Sequence, residues 1–100
     1  MELLDVRAHD GSRKFAALPR RAPWLRLRQH LAALPGVALG EFLTDHMTEG
    51  WLDFTYGAHD FTVNDQFGEY WFFVADAGAP EDLLRGLVEY FERLLGERAV

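Results

Sequence analysis

The sequence predicts an α+β fold in which an antiparallel sheet of four strands packs against two helices as a two-layer sandwich. The chain has 100 residues, of which 49% are hydrophobic and none is cysteine. That is enough apolar surface for a single domain, residues 1–100, without disulfides. Residues 37–75 alternate with the period of two that is typical of strands, whereas residues 22–36 and 79–96 repeat at helical spacing.

The first predicted helix spans residues 22–36. Pro23 suits a first helical turn, and Pro35 with Gly36 ends the segment. The apolar residues that recur at helical spacing are Trp24, Leu27, Leu31 and Leu34. The pattern therefore predicts a short amphipathic helix with one buried stripe.

Four predicted strands follow, and their connections are short. They cover residues 37–46, 51–56, 59–64 and 69–75. Strands joined so tightly are expected to be antiparallel neighbours in a meander. The last run is apolar on both faces, which indicates a central strand, but a four-stranded meander would place it at an edge. We therefore expect either the N-terminal segment 2–8 or a second chain, giving a homodimer, to pair beside it.

The final helix is predicted over residues 79–96. Pro80 stands at its start, Glu81 and Asp82 lie where the helix dipole favours acids, and Gly96 is a typical C-terminal stop.

The N-terminal residues 1–18 allow two interpretations. They form either a hairpin that turns at Asp10-Gly11 and adds a fifth strand, or a flexible arm. The first residues lack the apolar core of a signal peptide, and no stretch approaches the roughly 18 apolar residues of a membrane span. We expect a cytoplasmic protein that does not bind membranes.

Charge is distributed unevenly along the chain, whose net charge is −6. Residues 1–30 contain seven basic and three acidic residues, whereas residues 31–82 contain ten acidic residues and no basic one. Such asymmetry bears on partners and association rather than on fold. An acidic domain is not expected to bind nucleic acid.

The acidic strands predict a surface that binds a basic protein partner, as an immunity protein or a secretion chaperone would. Phe67 is expected at a loop tip among acids, where an aromatic side chain can anchor a partner. The candidate partner-binding residues are Trp51, Asp53, Asp60, Asp65, Phe67, Glu69 and Trp71.

The alternative is a small-molecule or metal-binding enzyme that uses His46, His59 and neighbouring carboxylates. His46 stands near Asp45 and Glu49, but in a predicted turn without the fixed geometry of a helical ligand pair. Ser12 is the one serine and has no nucleophile elbow around it. Phosphate-binding glycine patterns are absent. We therefore expect no catalytic residue, metal or cofactor.

Residues 50–95 carry three recognisable features. These are a Trp-x-Asp-Phe strand at residues 51–54, a Phe-Gly-Glu-Tyr-Trp hairpin at residues 67–71 and a final helix that begins with acidic residues. In these features the chain resembles small bacterial α+β domains that are grouped as families of unknown function. The resemblance implies a bacterial α+β domain, and it implies no activity and no functional residues.

Overall fold

An antiparallel sheet of six strands and two helices make up the fold. The structure, a computed structural model, describes residues 3–44 and 50–96. The strands are β1 (Val6–Arg7), β2 (Arg13–Pro19), β3 (Ala38–Thr44), β4 (Gly50–Tyr56), β5 (His59–Gln66) and β6 (Glu69–Val74). The helices are α1 (Trp24–Ala32) and α2 (Glu81–Leu95). The α+β class and the antiparallel sheet agree with the sequence prediction.

The strand order corrects the predicted count of four. The sheet runs β1-β2-β6-β5-β4-β3, so β3 to β6 follow one another and β1 and β2 extend the sheet beyond β6. Segment 13–19, rather than segment 2–8, therefore pairs beside the last strand. Because β6 lies between β2 and β5, neither of its edges is available for the homodimer contact that was considered for it.

Both helices pack on one face of the sheet. The ring of Phe91 in α2 lies 4.5 Å from that of Phe72 and 6.3 Å from that of Phe54, measured between centroids. The ring centroid of Trp24 in α1 lies 4.9 Å from that of Tyr70. These strand residues alternate in sequence with outward ones, as the period of two requires. Burial of this layer is the main source of stability.

Strand β2 departs from simple alternation. Its register with β6 shifts between Lys14 and Ala16, which is a β-bulge. Phe15 and Ala16 are consequently both buried, and the ring of Phe15 packs 5.9 Å from that of Phe61. The bulge explains why the apolar run of β2 shows no clear strand period.

Two tight hairpins set the register of the central strands. Gly57 and Ala58 connect β4 to β5 with φ values of 59° and 64°, and Phe67 and Gly68 connect β5 to β6 with 53° and 76°. Two central residues with positive φ define a type I′ turn, whose twist matches that of the flanking strands. Of the helices in the described ranges, neither has the length and apolarity needed to cross a membrane.

Candidate binding face

The sheet face opposite the helices, here called the open face, carries no helix of the described residues. Strand pairing places a mixture of aromatic, acidic and small polar side chains on it. Its residues include Val6, Lys14, Ala17, Pro19, Ala38, Leu43, Trp51, Asp53, Thr55, Asp60, Thr62, Asn64, Gln66, Glu69, Trp71 and Phe73.

The register arranges the centre of the open face in rows. Trp71, Asn64 and Trp51 are direct neighbours across β6, β5 and β4. Cross-strand neighbours of this kind lie about 4.5–5.5 Å apart at their Cβ atoms. Asn64 is buried between the two tryptophans, so the rings frame a polar strip on β5.

Carboxylates hold both tryptophan rings in place. The Trp51 indole N–H donates to Asp53 Oδ1 at 2.9 Å, and the Thr62 hydroxyl donates to the same oxygen at 2.9 Å. The Trp71 indole N–H donates to Glu69 Oε1 at 3.2 Å. In both indole bonds donor and acceptor stand two residues apart on one strand and so share a face, whereas Thr62 is the cross-strand neighbour of Asp53. The ring of Trp51 is fixed although the residue is 45% exposed.

Lys14 places a cation on the open face. Its Nζ lies 3.4 Å from the centroid of the Trp71 ring, which is a cation–π contact. Such contacts contribute about 0.5–1 kcal/mol at exposed sites. The open face therefore already holds one ammonium group against one of its rings.

A groove with a volume of 200 Å³ opens beside Trp51. Thr62 and Asn64 form its floor, Phe73 lies diagonally across β5 from Trp51, and the segment between β1 and β2 borders it at Asp10. The border is fixed by Ser12, whose N–H and hydroxyl donate to Asp10 Oδ1 at 3.0 and 2.7 Å.

Two carboxylates line one part of this groove. The hydrogen bonds from Ser12, first from its hydroxyl and then from its backbone N–H, lower the pKa of Asp10 and favour its charged form. Asp60 lies in the same lining and is exposed. Within the described ranges, no side chain or backbone group donates to the Asp60 carboxylate. The groove thus combines aromatic walls with negative charge.

Phe67 extends the aromatic surface at the end of the β5–β6 hairpin. It is 89% exposed, and its ring lies 6.0 Å from that of Trp71. Its positive φ is one that bulky side chains rarely adopt. An exposed aromatic residue in this conformation is poorly explained by folding alone.

The structure brings together most of the residues proposed from the sequence. Trp51, Asp53, Asp60, Glu69 and Trp71 lie on the open face. Phe67 lies at the end of this face, as expected for a loop tip. Phe73, Thr62, Asn64 and the segment around Asp10 are not among the residues predicted from the sequence. Alternation with Trp71 could have identified Phe73, but only the sheet topology places the β1–β2 segment at the groove.

Asp65 lies elsewhere and does not belong to the predicted surface. Its position on β5 has the same parity as Phe61 and Val63, so its side chain is on the helix face and only 8% exposed. Asp65 accepts hydrogen bonds from the Trp24 indole N–H at 3.2 Å and from the Gly50 N–H at 2.5 Å. These bonds give it a role in packing.

The proposed histidine site is only partly described. His59 begins β5 and pairs with Tyr56 across the hairpin. In residues 3–44 and 50–96, no three His, Asp or Glu side chains form a group that could hold a metal ion. His46, Asp45 and Glu49 lie outside the described residues.

Comparison of the chain with family models, curated proteins and solved structures found no match in any of the three.

Proposed function

We propose that this chain is an interaction module whose open face binds a basic segment of a partner protein. One observation carries the proposal: fixed aromatic rings and carboxylates share a sheet face that no described helix covers. Binding of this kind is what an immunity protein or a chaperone for a basic partner requires.

The aromatic residues supply the contact area. Tryptophan buries about 150–250 Å² when it is covered and is enriched among residues that dominate binding energy. Trp51 and Trp71 are already held by hydrogen bonds to acids on their own strands. Fixing them costs little entropy on association, because their rotamers are set beforehand.

The carboxylates supply the charge preference. Within the described ranges, Asp53 and Asp60 have no arginine or lysine at ion-pair distance, whereas Asp65 on the helix face lies 3.5 Å from Arg20 Nε. The carboxylates of the open face would attract a basic segment, whereas Lys14 would repel it. Such complementarity steers association and disfavours acidic partners.

The first experiment compares two synthetic peptides of equal length, one rich in arginine and one rich in glutamate. We expect only the basic peptide to bind, with an affinity that falls as salt rises from about 50 to about 500 mM, because the screening length falls from about 14 to about 4 Å. Fluorescence anisotropy of a labelled peptide measures this. Equal binding of both peptides would contradict the proposal.

Matched variants locate the contact. Trp51→Ala and Asp60→Asn should weaken binding of the basic peptide. Leu25→Ala and Asp82→Asn are the controls, because Leu25 is 61% exposed on α1 and Asp82 is exposed in the first turn of α2. If the control variants weaken binding as much as the open-face variants do, the peptide binds by net charge and the proposal fails.

A further inference from the structure

We infer that the groove beside Trp51 receives the side chain of a single arginine or lysine of the partner, with arginine preferred. The inference rests on the proposed function, because it names the group that the open face selects. It is carried by the size, the walls and the charge of the groove.

The size of the groove matches one side chain. Its volume of 200 Å³ is below the roughly 300–1,000 Å³ of pockets that enclose a complete small-molecule ligand. Trp51 and Phe73 stand on β4 and β6 in neighbouring rows, two strand spacings across and two residues along, or about 12 Å apart, with Asn64 and Thr62 of β5 between them. A long side chain can therefore lie on β5 with a ring on each side.

The walls favour a planar cation. An arginine guanidinium can stack on an indole and still direct its N–H donors sideways, whereas a lysine ammonium is a compact point charge. The contact between Lys14 and Trp71 shows the weaker form of this interaction on the same face. Among the described residues, no cation lies over the ring of Trp51.

The charge of the groove excludes the other classes of occupant. Asp60 and Asp10 would repel a phosphate or a carboxylate. An apolar side chain would exclude water from these acids without supplying a donor, which is unfavourable. An arginine side chain that lies along β5 can contact Trp51 with its stem or guanidinium face and direct its N–H donors toward Asp60, because both residues line the groove and Asp60 stands four residues before Asn64, the partner of Trp51.

The test is an NMR titration of the ¹⁵N-labelled protein with the N-acetyl, N′-methylamide derivatives of arginine, lysine and norleucine. Norleucine is the neutral control, because its side chain lacks the charge. We expect arginine, and more weakly lysine, to shift the indole N–H of Trp51 and the side-chain amide of Asn64 in a saturable way. The indole of the buried Trp24 should not move. Trp51→Phe assigns the Trp51 signal.

Two variants that each remove one negative charge test whether the groove itself binds arginine. Asp60→Asn should weaken arginine binding about fivefold, whereas Asp82→Asn should leave it unchanged. The inference is overturned if arginine up to about 100 mM leaves Trp51 unshifted, if it shifts Trp71 alone, or if norleucine acts equally. Should the basic peptide still bind in any of these cases, the proposed function stands without the groove. Should no basic peptide bind, the proposed function itself fails.

Discussion

Asp65 illustrates how one carboxylate within an acidic segment serves packing instead of recognition. It connects the start of α1, through Trp24, with the start of β4, through Gly50. A Cβ atom at Gly50 would lie 2.2 Å from Trp24 Nε1, so only glycine allows this approach. Nearby, the Tyr70 hydroxyl donates to the Ala22 carbonyl at 2.6 Å, and burial raises its pKa.

Asp65→Ala should lower the free energy of unfolding by about 2–4 kcal/mol. The change leaves the Trp24 indole N–H and the Gly50 N–H without their acceptor in a buried site. Asp60→Ala is the matched control, because it makes the same substitution on the same strand at an exposed side chain without a described donor. Urea denaturation followed by tryptophan fluorescence measures both. Equal unfolding midpoints for the two variants would show that the Asp65 contacts contribute nothing.

Phe67→Asn should stabilise the protein and weaken its binding of the basic peptide. Asparagine tolerates the positive φ at this position and favours type I′ turns before glycine. The expected gain in unfolding free energy is about 1 kcal/mol. Binding should fall, because the variant removes an exposed ring beside Trp71. Thermal unfolding and peptide anisotropy measure the two effects.

The β4–β5 hairpin offers the control for Phe67. Ala58 also has a positive φ within a type I′ turn, so Ala58→Gly should stabilise by the same mechanism. It lies at the opposite end of the central strands and should leave peptide affinity unchanged. If Phe67→Asn is neutral in binding, Phe67 is not an anchor and its conformation has no functional explanation.

At the scale of elements, a reciprocal contact joins the two helices. The Tyr90 hydroxyl donates to the backbone carbonyl of His30, and His30 Nε2 lies 2.7 Å from the backbone carbonyl of Tyr90. Because a carbonyl can only accept, Nε2 must carry a proton. The two rings also stack, with centroids 4.0 Å apart and planes at 18°. The end of α1 is thereby tied to the middle of α2.

A double-mutant cycle should reveal this coupling. We expect His30→Ala and Tyr90→Ala to destabilise the protein individually and to cost about 1 kcal/mol less together than the sum of their separate effects. The reason is that either change removes the same contact. Chemical denaturation of the four proteins gives the value. Strict additivity would show that each residue stabilises its own helix independently.

The elements that local patterns predict are those with short-range connections. The final helix was expected over residues 79–96 and spans Glu81–Leu95, and each meander strand falls close to its predicted range. One interpretation of residues 1–18 included a hairpin strand here, but the pairing of β2 with β6 was not predicted, because it spans some fifty residues of sequence and has a bulge next to the buried Arg13. Neither the bulge nor the long-range pairing leaves a periodic signal.

In the candidate site, too, the residues placed by local alternation were predictable and those placed by long-range strand pairing were not. Alternation along β4 and β5 places Trp51, Asp53 and Asp60 on one face, and the same alternation assigns Asp65 to the other. The charge of Asp65 led to the expectation that its side chain is on the surface, but two buried donors, the Trp24 indole N–H and the Gly50 N–H, satisfy its carboxylate. The border of the groove at Asp10 depends on the position of β1 and β2 in the sheet, which sequence spacing does not encode.

At the scale of the whole molecule, folding redistributes the charge segments of the sequence. Arg13 from the basic segment is buried and contacts Glu81 at 2.7 Å, and Arg20 lies beside Asp65. Two acids of residues 31–82 are thus paired on the helix side. On the open face, Asp53 and Asp60 have no arginine or lysine at ion-pair distance among the described residues, so its negative character reflects the position of the arginines as well as the number of acids.

The edges of the sheet predict a monomer. β1 offers only two residues for pairing, and β3 is interrupted by a register shift between Leu39 and Phe42 with Glu41 inside it. Short strands, bulges and charges at edges all oppose strand pairing between chains. Sedimentation equilibrium should therefore give the chain mass of 11.5 kDa over a wide range of protein concentration.

The monomer prediction also bears on the open face, because that face must be accessible in order to bind a partner. A dimer that dissociates on Trp51→Ala would mean that the open face binds a second copy of this chain, which would replace the basic partner as its occupant. A dimer that Trp51→Ala leaves intact would instead place the contact outside the open face, for example at the edge strand β3, since β6 is internal. Either dimer would contradict the expected mass, and only the first would remove the reason for proposing a basic partner.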